Sequence, residues 1–292
     1  MKKTIEISAS YSGKIPMGSY ENENPFFSVK EILENCEWCD EEIKLRQKQL
    51  QGICYDQFKQ QAELAKMEHI TKEFSNMHFY NGINGLKYPS VTSIIGWDKD
   101  FFMNDEELSQ HAARGTIIDK QIEIYLNTGE WKEPKDIPEI YPELVIVKKG
   151  NLGLALDDVD FPAFYKKYPF KVLAQQVTVI NDEHRYGGRS EIQCVIESEN
   201  KGDWAKVDDV LFDVPTLLDV KATSTLDKTY VMKQCTAYVK CPELKDVKQI
   251  GAIHLTKSNK CGYAKPVLEN NLDKYWTLFI RDRENFKKRY GI

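Results

Sequence analysis

Four apolar segments between residues 171 and 258 constrain the fold more than anything else in the chain. "KVLAQQVTVI" and "YGGRSEIQCVI" are separated by the polar turn "NDEHR"; "TLLDVKAT" follows, and "KQIGAIHLTK" comes after a helical stretch over about residues 226–240. β-Branched residues inside these runs and turn formers between them mark strands. A short turn makes the first two strands antiparallel neighbours. A helix between the third and fourth makes that pair parallel, through the usual right-handed crossover. Another helix, over about residues 104–127, precedes the strands and stops before Gly129, a residue suited to a helix C-terminus. A further strand around "GYAKPVL" and a terminal helix from about Leu272 complete the pattern. The expected class is α/β, a mixed central β-sheet flanked by helices.

The first 75 residues read differently. Ile5 and Ile7 share a face of a short strand, and an extended Gly/Ser/Asn/Pro-rich segment follows. From about Ser28 to Phe74 the pattern is helical, with a stripe through Leu50, Ile53, Cys54 and Phe58. Turn signals in "NGINGLKYPS" set a boundary near residue 76. The expected organisation is a mainly helical extension over residues 1–75, a surface for a protein partner, and a main domain over 76–292.

Composition narrows the setting. No apolar run approaches the ~20 residues of a membrane span, and no apolar core follows the two N-terminal lysines as a secretory signal requires. Seven cysteines, an odd number, fit reduced thiols. The expectation is a cytoplasmic protein with no membrane partner. A net charge of −5 argues against a broadly basic nucleic-acid coat, but a site built from carboxylates is itself acidic.

Such a site is visible in "LLDVKATSTLDKTYVMKQCTAYVK" (residues 217–240). Side chains alternate along a strand, so Asp219 and Lys221 share a face opposite Val220. Glu191 and Gln193 likewise share a face of the preceding strand, and pairing of the two strands brings Glu191 and Asp219 together. Two close carboxylates repel unless a cation lies between them, and oxygen ligands suit Mg²⁺ or Mn²⁺. Gln234 and Tyr238, one turn apart, share a face of the next helix. A D-x-K triplet alone more often marks a solvated edge or a surface ion pair.

The ordered set resembles the PD-(D/E)XK nuclease superfamily, RecB-type exonuclease branch, which includes phage exonucleases and the mitochondrial genome maintenance exonuclease. The resemblance runs over about residues 86–260. "YPSVTSII" is similar to the Pro-Ser-Val-Thr segment that opens many members, and "ARGTIIDKQIEIYL" to the Arg-Gly-Thr helix of the first motif. "YGGRSEIQCVI" is similar to the Gly-x-x-Asp strand, "LLDVKAT" to the strand of the Asp-x-Lys motif, and "QCTAY" to the Gln-x-x-x-Tyr helix. The resemblance implies a restriction-endonuclease-like core and a metal-dependent DNA exonuclease acting on ends or single strands, in a phage or bacterial setting. Asp119, Glu191 and Asp219, with the Val220 carbonyl, would hold Mg²⁺ or Mn²⁺. Lys221 would position water or stabilise the transition state. Gln234 and Tyr238 would hold the strand or the lysine in register, and Arg114 would contact phosphate.

Three departures stand out. Asp119 occupies the place of a usual histidine, Glu191 that of an aspartate, and Gln176 that of a glutamate found in many members. They give weight to a second reading, a nuclease-derived DNA-binding or adaptor protein with an altered site. A hydrolase of small phosphorylated substrates is a weaker third, since it leaves the Gln-x-x-x-Tyr helix without a task. Glu123 and His111 read first as helix-surface residues. Gly187 and Gly188 read as backbone accommodations at a turn or bulge, and Cys36 and Cys39 as ordinary thiols.

Overall fold

The computed structural model describes residues 4–12, 15–16, 22–23, 25–33, 39–73, 77–98, 105–133, 136–137, 159–256 and 258–292. Cys36 and most of the Pro-rich connection after residue 133 lie outside them, as does the side chain of His111. The chain divides into two compact units, Met1–Tyr88 and Pro89–Ile292.

In the first unit, β1 (Ile5–Ser12) pairs antiparallel with β4 (Phe26–Leu33), and the two-residue strands β2 (Ile15–Pro16) and β3 (Asn22–Glu23) pair between them. Helix α1 (Asp40–Glu73) follows, then β5 (Phe79–Asn81) and β6 (Lys87–Pro89). Residues 26–33, expected to be partly helical, form a strand. Burial there has period two, with Phe27, Val29 and Glu31 turned inward. Phe27 and Val29 pack against Ile7, Ala9, Leu50 and Cys54, while the Glu31 carboxylate accepts from Arg46 of α1 at 2.6 Å. Of the expected stripe on α1, Leu50 and Cys54 are buried and Ile53 is exposed.

The second unit is α/β, as expected. It begins with α2 (Val91–Ile95), capped by the Ser90 hydroxyl, which accepts from the Ser93 amide at 3.0 Å. Helices α3 (Asp105–Thr128) and α4 (Phe161–Lys167) come next, then strands β7 (Lys171–Asn181), β8 (Tyr186–Val195) and β9 (Pro215–Ala222). Helix α5 (Lys228–Val239) leads to β10 (Gln249–Leu255) and β11 (Val267–Glu269), and α6 (Leu272–Tyr290) ends the unit. Gly129 ends α3 at φ +76°, its amide donating to the Tyr125 carbonyl at 2.8 Å. The five strands form one mixed sheet in the order β11-β10-β9-β8-β7. β7 and β8 are antiparallel and β9 and β10 parallel, as the connections dictate.

The two sheet faces have different jobs. Ile192, Cys194, Leu218 and Val220 point to one face and pack with Ile117, Ile118 and Ile122 of α3, Phe161 and Phe164 of α4, and Trp204. Each such side chain contributes roughly 1.5–3 kcal/mol of burial. By alternation, Asp219, Lys221 and Glu191 fall on the opposite face, toward α5. Among the described residues no helix is long and apolar enough to cross a membrane.

Candidate functional site

The site forms where two strands part. The β8–β9 ladder runs Val195↔Pro215, Cys194↔Thr216, Gln193↔Leu217, Ile192↔Leu218 and ends there. The next pair in that register is Glu191 and Asp219, so the ladder stops at the two carboxylates. Beyond it the Val220 amide donates to the Glu191 carboxylate at 2.5 Å instead of to a backbone carbonyl. Glu191 thus closes the β8–β9 ladder, while β9 continues to Ala222 beside β10.

Asp219 is almost fully buried, at 1 % exposure. Its Oδ1 accepts from Gln234 Nε2 at 3.0 Å, and its Oδ2 meets the Lys221 ammonium at 2.5 Å. Gln234 Nε2 also donates to the Tyr238 hydroxyl at 3.1 Å, and both side chains are buried. The shared helix face therefore looks toward Asp219, and the Gln234 amide nitrogen is shared between Asp219 and Tyr238. Gly188 explains how Tyr238 fits: a Cβ at that position would lie 2.2 Å from Tyr238 Cε1. The glycine admits an aromatic ring onto the strand rather than making a turn. Tyr186 Oη donates to the Ala237 carbonyl at 2.9 Å and ties the same strand to the same helix. The Ser90–Gly187 bridge sets the Pro-Ser-Val-Thr segment alongside.

Asp119 comes from α3. Burial raises its pKa to about 7; Lys221 pulls the other way, Asp219 adds to the rise, and Arg189 and Lys120 oppose it. Burial, then the charge of Asp219, pushes Glu191 well above the carboxylate range, and burial raises Asp219 despite Lys221. For Lys221 burial acts against the ammonium, but the Asp219 and Glu191 charges outweigh it and hold the pKa above its ordinary value. The common cause is an excess of negative charge out of water. Arg114 Nη1 donates to the Ala222 carbonyl at 2.6 Å, fastening α3 to the end of β9.

These groups interact electrostatically, yet among the described residues no three His, Cys, Asp or Glu side chains are grouped as a metal cluster. Glu191 is turned onto the Val220 amide, and Asp219 is engaged by Gln234 and Lys221. The donor chemistry suits a hard divalent cation nevertheless. The three carboxylates are all held above their ordinary pKa, and Gln234 Oε1 is a buried acceptor without a hydrogen bond.

Arg189 was missed in the sequence. It is exposed, lies two residues before Glu191 on β8 and acts electrostatically on Asp119. The alternation that selected Glu191 also selects Arg189. Glu123 forms an ion pair with Lys120 at 2.8 Å. Neither protein-family models nor curated proteins give a match to this chain.

Proposed function

We propose that the second unit is a divalent-metal-dependent DNA exonuclease with a restriction-endonuclease-like core. One observation carries the reading: Asp119, Glu191, Asp219 and Lys221 interact where β8 and β9 part, and Gln234 and Tyr238 close over Asp219. The order of α3, the strands β7 to β9, α5 and β10, with α4 inserted after α3, supports the core assignment. A structural ion pair needs one carboxylate for Lys221; a third, from a separate helix, adds repulsion that protons or a cation must relieve.

Asp119, Glu191 and Asp219 are the residues that would hold Mg²⁺ or Mn²⁺, with the Val220 carbonyl as a further oxygen. Such an ion supplies charge for a phosphodiester oxygen and lowers the pKa of water. Gln234 fixes the Asp219 carboxylate through Oδ1, and Tyr238 fixes Gln234. Lys221 keeps its proton, so it serves as a cation that orients water and offsets charge growing on the phosphate. Arg189, exposed beside the carboxylates, is placed for a phosphate of the bound strand.

The test is incubation of the purified chain with end-labelled linear and circular DNA in Mg²⁺, Mn²⁺ or EDTA. The expected outcome is metal-dependent loss of linear DNA, with circles resistant. Equal degradation of circles overturns the exonuclease assignment. No cleavage under any condition, together with DNA retention, establishes the adaptor reading that the three motif departures favour.

A further inference from the structure

Beside the carboxylates, a cavity of about 510 Å³ opens between α3 and β7. β7 is an edge strand of the sheet, and among the described residues its outer side has no strand partner. Three carboxamides line the cavity: Asn127, Gln175 and Gln176. Gln175 Nε2 donates to Asn127 Oδ1 at 3.0 Å. Leu126 and the half-exposed Leu173 add apolar surface, and Glu123 is the one charged residue among the described residues of the lining.

The position of the cavity matters as much as its lining. Gln176 lies between the pairs Gln175↔Ile192 and Val177↔Ser190, and so opposite Glu191. Glu123 is one turn beyond Asp119 on α3. Gln176 also has φ +52°, a left-handed conformation that a non-glycine residue adopts at a cost inside a strand. Local strain of this kind gathers at functional sites.

The lining selects among parts of a nucleotide. Among the described residues its lining supplies no lysine or arginine to hold a phosphate. Neutral amides offer a donor and an acceptor each, which match the polar edge of a base, and leucine side chains cover the face of a planar ring. The volume falls in the range of small-ligand sites, roughly 300–1,000 Å³. We infer that this cavity is a subsite for one unstacked nucleobase of a single-stranded DNA end, next to the scissile phosphate. The inference rests on the nuclease reading and adds the place where one base of the end is held.

The test is an abasic scan. Single-stranded oligonucleotides carrying an abasic residue at each of the first few positions from the end are cleaved by wild type, Asn127→Ala and Gln176→Gly. Glycine suits the backbone at that position, so Gln176→Gly should melt no lower than wild type and separates recognition from folding. Wild type should show KM raised roughly tenfold at one abasic position, the scale of a lost base contact, with kcat little changed. Gln176→Gly should have the raised KM on intact DNA and no further loss at that position. If wild type cleaves DNA but the abasic penalty is absent, or is equal in wild type and both variants, the subsite is wrong and the nuclease stands. If wild type cleaves no DNA with any divalent cation, both readings fall.

Discussion

Asp219 is the residue on which the rest of the site converges. It is buried, bonded by Gln234 and paired with Lys221. Asp219→Asn keeps the shape and removes the charge. Cleavage should fall by at least ~10²-fold, since charge stabilisation at a metal site is worth several kcal/mol. Folding should survive, because Glu191 still faces Lys221. Near-normal turnover of a well-folded variant would move the centre elsewhere. Gln234→Ala differs in kind, for it leaves Asp219 Oδ1 without its donor. It should lower kcat while preserving DNA affinity; a variant that only melts earlier would make Gln234 a scaffold residue.

At the scale of the element, the fit of α5 on β8 depends on Gly188. In Gly188→Ala the new methyl would meet the Tyr238 ring at 2.2 Å, so the ring must move and take its hydroxyl from Gln234. The expected cost is about 1–3 kcal/mol, as for other overpacked cores. Urea unfolding measures it, and cleavage should fall with it. Unchanged cleavage in the destabilised variant would separate the helix from the chemistry. The strands and α5 were legible because short apolar runs bounded by turns have few alternatives. β4 was not: Phe26–Leu33 carries apolar residues at spacings that satisfy both periods, and its pairing with β1 and the inward Phe27, Val29 and Glu31 are tertiary facts. Helix α4, "FPAFYKK", was missed because a single turn or two packed through aromatics has no periodicity to read. Glu191 and Asp219 could be placed on one face from alternation, but the parting of their strands depends on where a ladder ends. That is a tertiary fact. The spacing of Gln234 and Tyr238 gave their shared face but not that both would be buried against Asp219.

For the whole molecule, the clustered carboxylates set a pH dependence of stability. Asp119 has its pKa raised from an ordinary 3.8 to about 7. Between those values the folded chain keeps a proton that the unfolded chain has lost, so this group's contribution to stability declines as pH rises through the window. Glu191 and Asp219 shift in the same direction and widen it. In EDTA the melting temperature should carry a component that falls from about pH 4 to about pH 7. Asp119→Asn should shrink that component to the part owed to Glu191 and Asp219, and Mn²⁺ should offset it by favouring the ionised carboxylates. A melting temperature with no such component in wild type would mean that the carboxylates are better solvated than their burial indicates.

The Val220 amide, held by a side chain where a strand partner would otherwise hold it, gives the site its own spectroscopic reporter. A bond to a charged carboxylate is stronger than one to a neutral acid. Its proton resonance should therefore lie far downfield while Glu191 is ionised and shift upfield on acidification. Its protection from solvent exchange, taken relative to the intrinsic rate at each pH, should fall over the same range. A cation that draws Glu191 away would loosen this amide too, so a single backbone peak can follow both the ionisation of the site and its filling, without any substrate present.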